Sequence, residues 1–290
     1  MKKVIALASV VSSLLFAPIA SAALVTQWTY EQNTTWAAAT FSNAVVLNAT
    51  GNQNYVASNG YNANSHIDST LISWGYNTGS PYAPTVGSDA YTARSGVEIG
   101  NSNAIGTVFT NSGYAVSNNI THYNNALSGA FATMTGATLH TTLHLKPLAP
   151  MPSLDDVNVG DVDYTITFKE TANIHIGSLD ATASCGFVSV TYCDDIFIIT
   201  SDVLASIFHY DGQSYSASLV EFTGNLRLLD NAQCAAAGAA VGCIGFTTAE
   251  GMATTAQFGF DIKAIPEPAP LALLSLGLFG LFAIRRRKNS

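Results

Sequence analysis

Wherever the side chains in the middle of this 290-residue chain follow a pattern, they alternate with a period of two. In Val162–Phe168, the residues Val162, Tyr164, Ile166 and Phe168 share one parity and Asp163, Thr165 and Thr167 the other. Phe258, Phe260 and Ile262 alternate with Gln257, Gly259 and Asp261 in the same way. Successive strand side chains point to opposite faces, so such segments read as half-buried β-strands, and no long stretch has the spacing of an amphipathic helix. Val45–Leu47, Leu71–Gly75, Thr107–Thr110, Leu139–Leu145, Ile196–Thr200, Tyr215–Phe222 and Asn225–Leu229 are further strand candidates, with Asn, Asp, Gly and Ser clusters between them. The expected fold is all-β, a β-sandwich-like body of jelly-roll type. Within Tyr215–Phe222 the parity slips at Val220, which predicts a bulge or edge bend. Asn48–Asn64, rich in Asn, Gly and Tyr, predicts a long loop. Lys146–Ser153 carries Pro147, Pro150 and Pro152, which remove backbone donors; it predicts a linker and the candidate internal boundary, near 146–153.

Both ends of the chain read as addresses rather than as parts of the fold. Lys2 and Lys3 form a positive start, Val4 to Ile19 an apolar run, and Ala20-Ser21-Ala22 a small-residue cleavage site, the pattern of a secretory signal peptide over residues 1–22. At the other end, Pro266-Glu267-Pro268 is followed by an apolar run, 269–284, and then by Arg285, Arg286, Arg287 and Lys288. As a helix that run would reach about 24 Å, short of the roughly 30 Å of a bilayer core. It can still span if the flanking cationic side chains reach out to the headgroups, and those cations should stay on the cytoplasmic side. The prolines end any helix continuing from the body and hold the backbone extended. This layout resembles the PEP-CTERM sorting signal, in which a Pro-Glu-Pro triplet, a short transmembrane helix and a basic end present an exported protein to an exosortase. The resemblance implies cutting near the triplet and delivery to the cell surface or an extracellular polymer. The body between the two addresses is residues 23–265, and the sorting segment is 266–290.

Without its ends the body holds five basic side chains (Arg94, Lys146, Lys169, Arg227, Lys263) against 18 acidic ones, a net charge of −13. Nucleic acid and anionic membrane surfaces need clustered Lys or Arg, so neither suits this body, whereas neutral polymers and divalent cations are left open. Four cysteines, Cys185, Cys193, Cys234 and Cys243, fit an oxidising compartment. Their spacing favours local pairing, Cys185 with Cys193 and Cys234 with Cys243, among three connectivities. Neither pair has zinc-ribbon or redox spacing.

Thr121-His122-Tyr123-Asn124 stands among four other landmarks: Ile72-Ser73-Trp74-Gly75, Phe168-Lys169-Glu170-Thr171-Ala172-Asn173, Cys193-Asp194-Asp195-Ile196-Phe197 and Gly245-Phe246-Thr247-Thr248-Ala249-Glu250. In that order they resemble the THxN family of PEP-CTERM proteins, with Ala172 where the pattern has proline. The resemblance implies surface display and brings no activity. His122 reads either as a metal ligand or general base, or as a structural residue in a turn whose Thr121 hydroxyl and Asn124 amide bond the backbone; the structural reading is favoured. His140 and His144 fall on one strand face about 13 Å apart, too far for one metal, and read as a solvated face. Asp156, Asn158 and Asp161 gather oxygen ligands around Gly160, a weak calcium candidate whose spacing departs from the calcium-loop template. No other cofactor is expected. No catalytic constellation is visible, so the body reads as structural or binding. The alternatives are a secreted carbohydrate-active enzyme, with Trp28, Trp36 and Trp74 available to stack on sugars and carboxylates to spare, and a calcium-dependent adhesin.

Overall fold

A computed structural model describes residues 23–79, 81–84, 91–171, 185–189, 193–200 and 205–266. The signal segment 1–22, the span 269–284 and the sorting residues Glu267, Pro268, Arg285, Arg286 and Arg287 lie outside them. The body is all-β, as the alternation requires. Its strands in chain order are β1 (Gln27–Phe41), β2 (Val46–Asn48), β3 (Gly51–Val56), β4 (Asn62–Ile67), β5 (Leu71–Tyr76), β6 (Arg94–Gly100), β7 (Asn103–Phe109) and β8 (Ala115–Tyr123). They continue with β9 (Met134–Ala149), β10 (Val157–Lys169), β11 (Asp195–Thr200), β12 (Ala205–Tyr210), β13 (Gln213–Glu221), β14 (Arg227–Leu228), β15 (Ile244–Thr248) and β16 (Ala253–Ile265). A short helix, α1 (Asn231–Ala236), is closed at its start by Asp230 and Gln233, each side chain bonding the other's backbone. Among the described residues no helix is long and apolar enough to cross a membrane.

Two antiparallel sheets of eight strands hold these elements. The first runs β14-β15-β11-β10-β9-β1-β2, with β7 also paired to β1; the second runs β12-β13-β16-β8-β6-β5-β4-β3. Their inner faces share a core in which Trp36, Leu139, Ile166 and Phe197 of the first sheet meet Ile67, Ile72, Val97, Ile120 and Phe258 of the second. A second core surrounds Trp28, whose ring takes the edges of Phe208, Tyr210 and Tyr215 at 5.6, 5.7 and 5.2 Å. Gln32, Thr34, Ser117 and Asn118 are buried too, and Gln32 Nε2 donates to Asn118 Oδ1 at 3.1 Å.

Several sequence expectations are corrected. Asn48–Asn64 is not a long loop: it contains β3 and the start of β4, a hairpin in continuous register from Gly51↔Ile67 to Val56↔Asn62. The half-buried parity of β3 is Gly51, Gln53 and Tyr55 and its exposed parity ends in Val56, so apolar periodicity never marks it. No bulge interrupts Tyr215–Glu221, which pairs with β16 without a shift; Val220 simply lies opposite Gly259, on the outward parity. Lys146–Ala149 continues β9 instead of forming a linker, and Pro147 pairs with Trp28 of β1. A proline is tolerated there because β10 pairs with β9 only as far as Leu145, leaving that edge free at residue 147. β9 and β10, on either side of the segment, are neighbours in one sheet.

Candidate functional site

Thr121, His122 and Tyr123 lie in β8, not in a turn, and the strand pleat separates them. Thr121 and Tyr123 face outward, where Thr121 Oγ1 meets Thr255 Oγ1 at 2.9 Å and Tyr123 donates to Glu98 at 2.9 Å. His122 faces inward with no exposed surface. The turn expected for this motif is therefore replaced by a strand, because the ladder on both sides, Val97 of β6 and Thr254 of β16, claims the backbone of residue 122.

The interior that His122 enters is built by the other four landmarks, where β10 ends, β11 begins and β15 ends. Its ring lies 6.3 Å from Trp74, near parallel, and 5.0 Å from Phe168, edge-on; Trp74 and Phe168 are 5.2 Å apart. Trp74 Nε1 donates to Glu170 Oε2 at 3.2 Å. Asp195, opposite Thr248 in the β11–β15 pair, places Oδ2 3.8 Å from His122 Nε2. Its other oxygen accepts the Thr171 backbone N–H at 2.9 Å, while the Thr171 hydroxyl donates to the carbonyl of Cys193. Asn124 donates to the Thr248 carbonyl at 2.9 Å. Phe197 and Phe246 stack at 4.6 Å beneath the polar groups.

What distinguishes this cluster is its surplus of acceptors. Among the described residues, both ring nitrogens of His122, Asn124 Oδ1, Glu170 Oε1, Asp195 Oδ2, Thr248 Oγ1 and both carboxyl oxygens of Glu250 are buried with no partner in good hydrogen-bond geometry, although Asn124 stands near enough to Glu250, and Asp195 to Glu170, to temper each carboxyl's pKa. Buried polar atoms in such numbers are rare, and each costs about 1–3 kcal/mol when unpaired. The electrostatics follow from burial. Desolvation pushes the His122 pKa down to about 3, so the imidazole is neutral. Desolvation, then the nearby Glu250, pushes the Glu170 carboxyl up to about 8. Desolvation, with Asp194 adding to it, raises Glu250 to about 7, and desolvation followed by Glu170 raises Asp195 well above the usual carboxylate range. The His122–Asp195 contact is accordingly one between a neutral ring and a protonated acid, not an ion pair. Protons held on the carboxyls are the donors this site needs. Among the described residues no group of three or more His, Cys, Asp or Glu is arranged to hold a metal ion.

The remaining predicted residues are dispersed. Cys185–Cys193 and Cys234–Cys243 are disulfides, the local pairing expected, and the first tethers the Cys193 carbonyl that Thr171 uses. His140 bonds Asp163 at 2.7 Å and His144 bonds Asp156 at 3.0 Å, two separate half-exposed pairs on one strand face. Asn158 and Asp161 lie in β10 and Asp156 just before it: His144 bonds Asp156, Asn158 accepts from the Gly160 N–H at 2.9 Å, and Asp161 stands opposite Thr142 of β9 in the strand register. Trp28, Trp36 and Trp74 are all buried, so none of them offers a ring face to a sugar, contrary to expectation. Sequence reasoning assigned no role to Glu170 or Glu250, although both stand inside landmark segments, and it missed Arg94.

Arg94, in β6, is buried on the outer face of the second sheet. Its guanidinium donates to Ser73 Oγ at 2.9 Å, Asn64 Oδ1 at 2.9 Å, and the carbonyls of Ser73, Tyr82, Tyr76 and Asn64 at 3.1, 3.0, 3.2 and 3.3 Å. The Tyr82 ring covers it at 5.1 Å. Desolvation lowers its pKa only to about 10, so it stays charged.

An all-β body with local disulfides, ending in β16 at Ile265, leads straight into the sorting segment at Pro266. A family profile described as the PEP-CTERM protein-sorting motif matches residues 264–288, and that motif implies export and processing by an exosortase. Comparison with curated proteins finds no match.

Proposed function

We propose that this chain is a structural or binding component of the cell surface or exopolysaccharide matrix, a member of the THxN group, sorted by an exosortase and acting without catalysis. The observation that carries the reading is the junction at Ile265–Pro266: the sorting motif begins where the last strand ends. Cutting at the triplet would leave β16, a central strand between β13 and β8, whole. The body itself, which we take as a β-sandwich of jelly-roll type, would stay folded after release. The run 269–284 serves in this reading as a temporary transmembrane helix. Intact mass spectrometry of protein recovered from its native cells tests it. The expected mass lacks both residues 1–22 and the segment beyond the triplet; recovered material still ending in Ser290 would overturn the sorting argument.

The carbohydrate-active alternative has one observation in its favour. Carboxyls whose pKa is raised by burial are what general acids require, and Glu170, Glu250 and Asp195 are such groups. Release of reducing ends from a polysaccharide, lost in Glu170→Gln, would move the assignment to an enzyme.

A further inference from the structure

The hairpin-rich lobe formed by β3, β4 and β5 differs chemically from the rest of the body. From Ser42 to Ser88 the sequence holds a single formal charge, Asp68, and between Asn43 and Asn77 it holds eight asparagines, although the body as a whole is strongly acidic. Because β4 is antiparallel to both β3 and β5, and β5 to β6, the start of β4, the end of β5 and the start of β6 lie at one end of the sheet. Three tyrosines gather there. Tyr61, just before β4, and Tyr91, just before β6, stack at 5.3 Å with an interplanar angle of 21°, and Tyr76, the last residue of β5, meets Tyr61 edge-on at 6.3 Å.

Tyr61 and Tyr91 keep 40% and 49% of their surface exposed. The stack is held in place from below. Asn59 accepts the Tyr61 backbone N–H at 3.1 Å and donates to Ser128 at 2.9 Å, and the Ala57 N–H bonds the Tyr61 carbonyl at 2.9 Å. Rigid aromatic faces presented at low entropic cost, with uncharged donors and acceptors at the rim, suit a ligand that has apolar C–H faces and hydroxyl edges. A lobe whose single formal charge from Ser42 to Ser88 is Asp68, at the other end of β4, fits a neutral ligand, and the acidic remainder of the body repels polyanions.

We propose that the Tyr61–Tyr91 stack is a binding platform for a neutral polysaccharide, with the pyranose rings lying on the exposed ring faces. The assignment rests on the binding role proposed above and names its site. The test is native affinity electrophoresis of the exported full-length protein in gels containing a soluble neutral glucan or galactomannan, with alginate as the anionic comparison. Retardation by a neutral glycan and not by alginate is expected. Tyr61→Ala and Tyr91→Ala should each weaken retention about tenfold, Tyr61→Phe should largely preserve it, and Tyr114→Ala, which removes an exposed ring elsewhere, should leave it unchanged. Near-UV circular dichroism and melting temperature are followed in parallel to show that the variants fold. Retention of wild type that survives both alanine variants would overturn the platform and leave a binding role standing. Absence of retention by any neutral glycan, or retention by alginate alone, would overturn the platform and its ligand class. Neither result touches the sorting assignment, which the mass measurement tests separately.

Discussion

On the outer face of the second sheet Arg94 is enclosed with each of its guanidinium nitrogens bonded, whereas one strand over, on the inner face, His122 and three carboxyls are enclosed with most of their polar atoms unpaired. The difference lies in what surrounds each group. Arg94 carries five donors and no acceptors, and the strands and loop around it supply four carbonyls, a hydroxyl and an amide oxygen, six acceptors in all, with the Nε–H shared between two of them. It can therefore stay ionised although, among the described residues, no carboxylate bonds it. The His122 cluster has the reverse excess, acceptors facing acceptors, and only neutralisation lets it remain inside. One region is a completed network that fastens a loop to a sheet. The other changes state with proton concentration.

The comparison is broken most sharply at Arg94. Arg94→Met would strand Asn64 Oδ1 and four backbone carbonyls, and the expected loss is about 3–5 kcal/mol of unfolding free energy, read as a lower denaturation midpoint. Arg94→Lys should recover only part of it, since an ammonium offers three donors where five are used. Full recovery with lysine would mean that the charge, and not the directed bonds, holds the loop. At His122 the expected effect is smaller. No hydrogen bond is lost in His122→Ala, so the cost is the cavity between Trp74 and Phe168, about 2–3 kcal/mol. Unchanged melting together with a lost activity or binding would show instead that the ring is kept for function.

The same contrast separates what was legible in the sequence from what was not. β10 and β16 are plain because their inner parity is apolar, and the disulfides are plain because their partners are close in the chain. β1, a 15-residue strand, escapes the same test because Gln32 and Thr34 occupy its inward positions, bonded to other buried polar groups rather than packed by oil-like neighbours. Thr121-His122-Tyr123 looks like a turn for the same reason: polar residues occupy both faces of a strand. Glu170, Asp195 and Glu250 come from three segments, so no spacing rule could join them. Only the order of the landmarks hinted that they belong together. Arg94 left no signal at all, because its partners are mainly backbone carbonyls.

The pH dependence of stability sharpens the comparison at its finest scale. A carboxyl whose folded pKa is raised binds its proton more tightly in the folded state. Its contribution is complete below the ordinary carboxylate pKa, near 4.5, and is lost as the pH rises through the folded values, about 7 for Glu250 and about 8 for Glu170. His122 acts on the other limb: its folded pKa of about 3 lies below the usual 6.5, so its contribution is complete above 6.5 and is lost as the pH falls toward 3. The wild-type melting temperature should therefore rise as the pH falls from about 9 to about 4.5, where the three raised carboxyls outweigh the one histidine, and fall again only toward about pH 3. Glu170→Gln keeps an oxygen for the Trp74 N–H and removes one ionisable group, so it should flatten the alkaline limb, raising stability by about 1–2 kcal/mol at pH 8 with little change at pH 5. Arg94, charged across this whole range, should contribute no slope. A Glu170→Gln profile parallel to wild type from pH 6 to 9 would show that the carboxylate is ionised and accommodated inside the fold, and the distinction between a satisfied cation and proton-dependent acids would collapse.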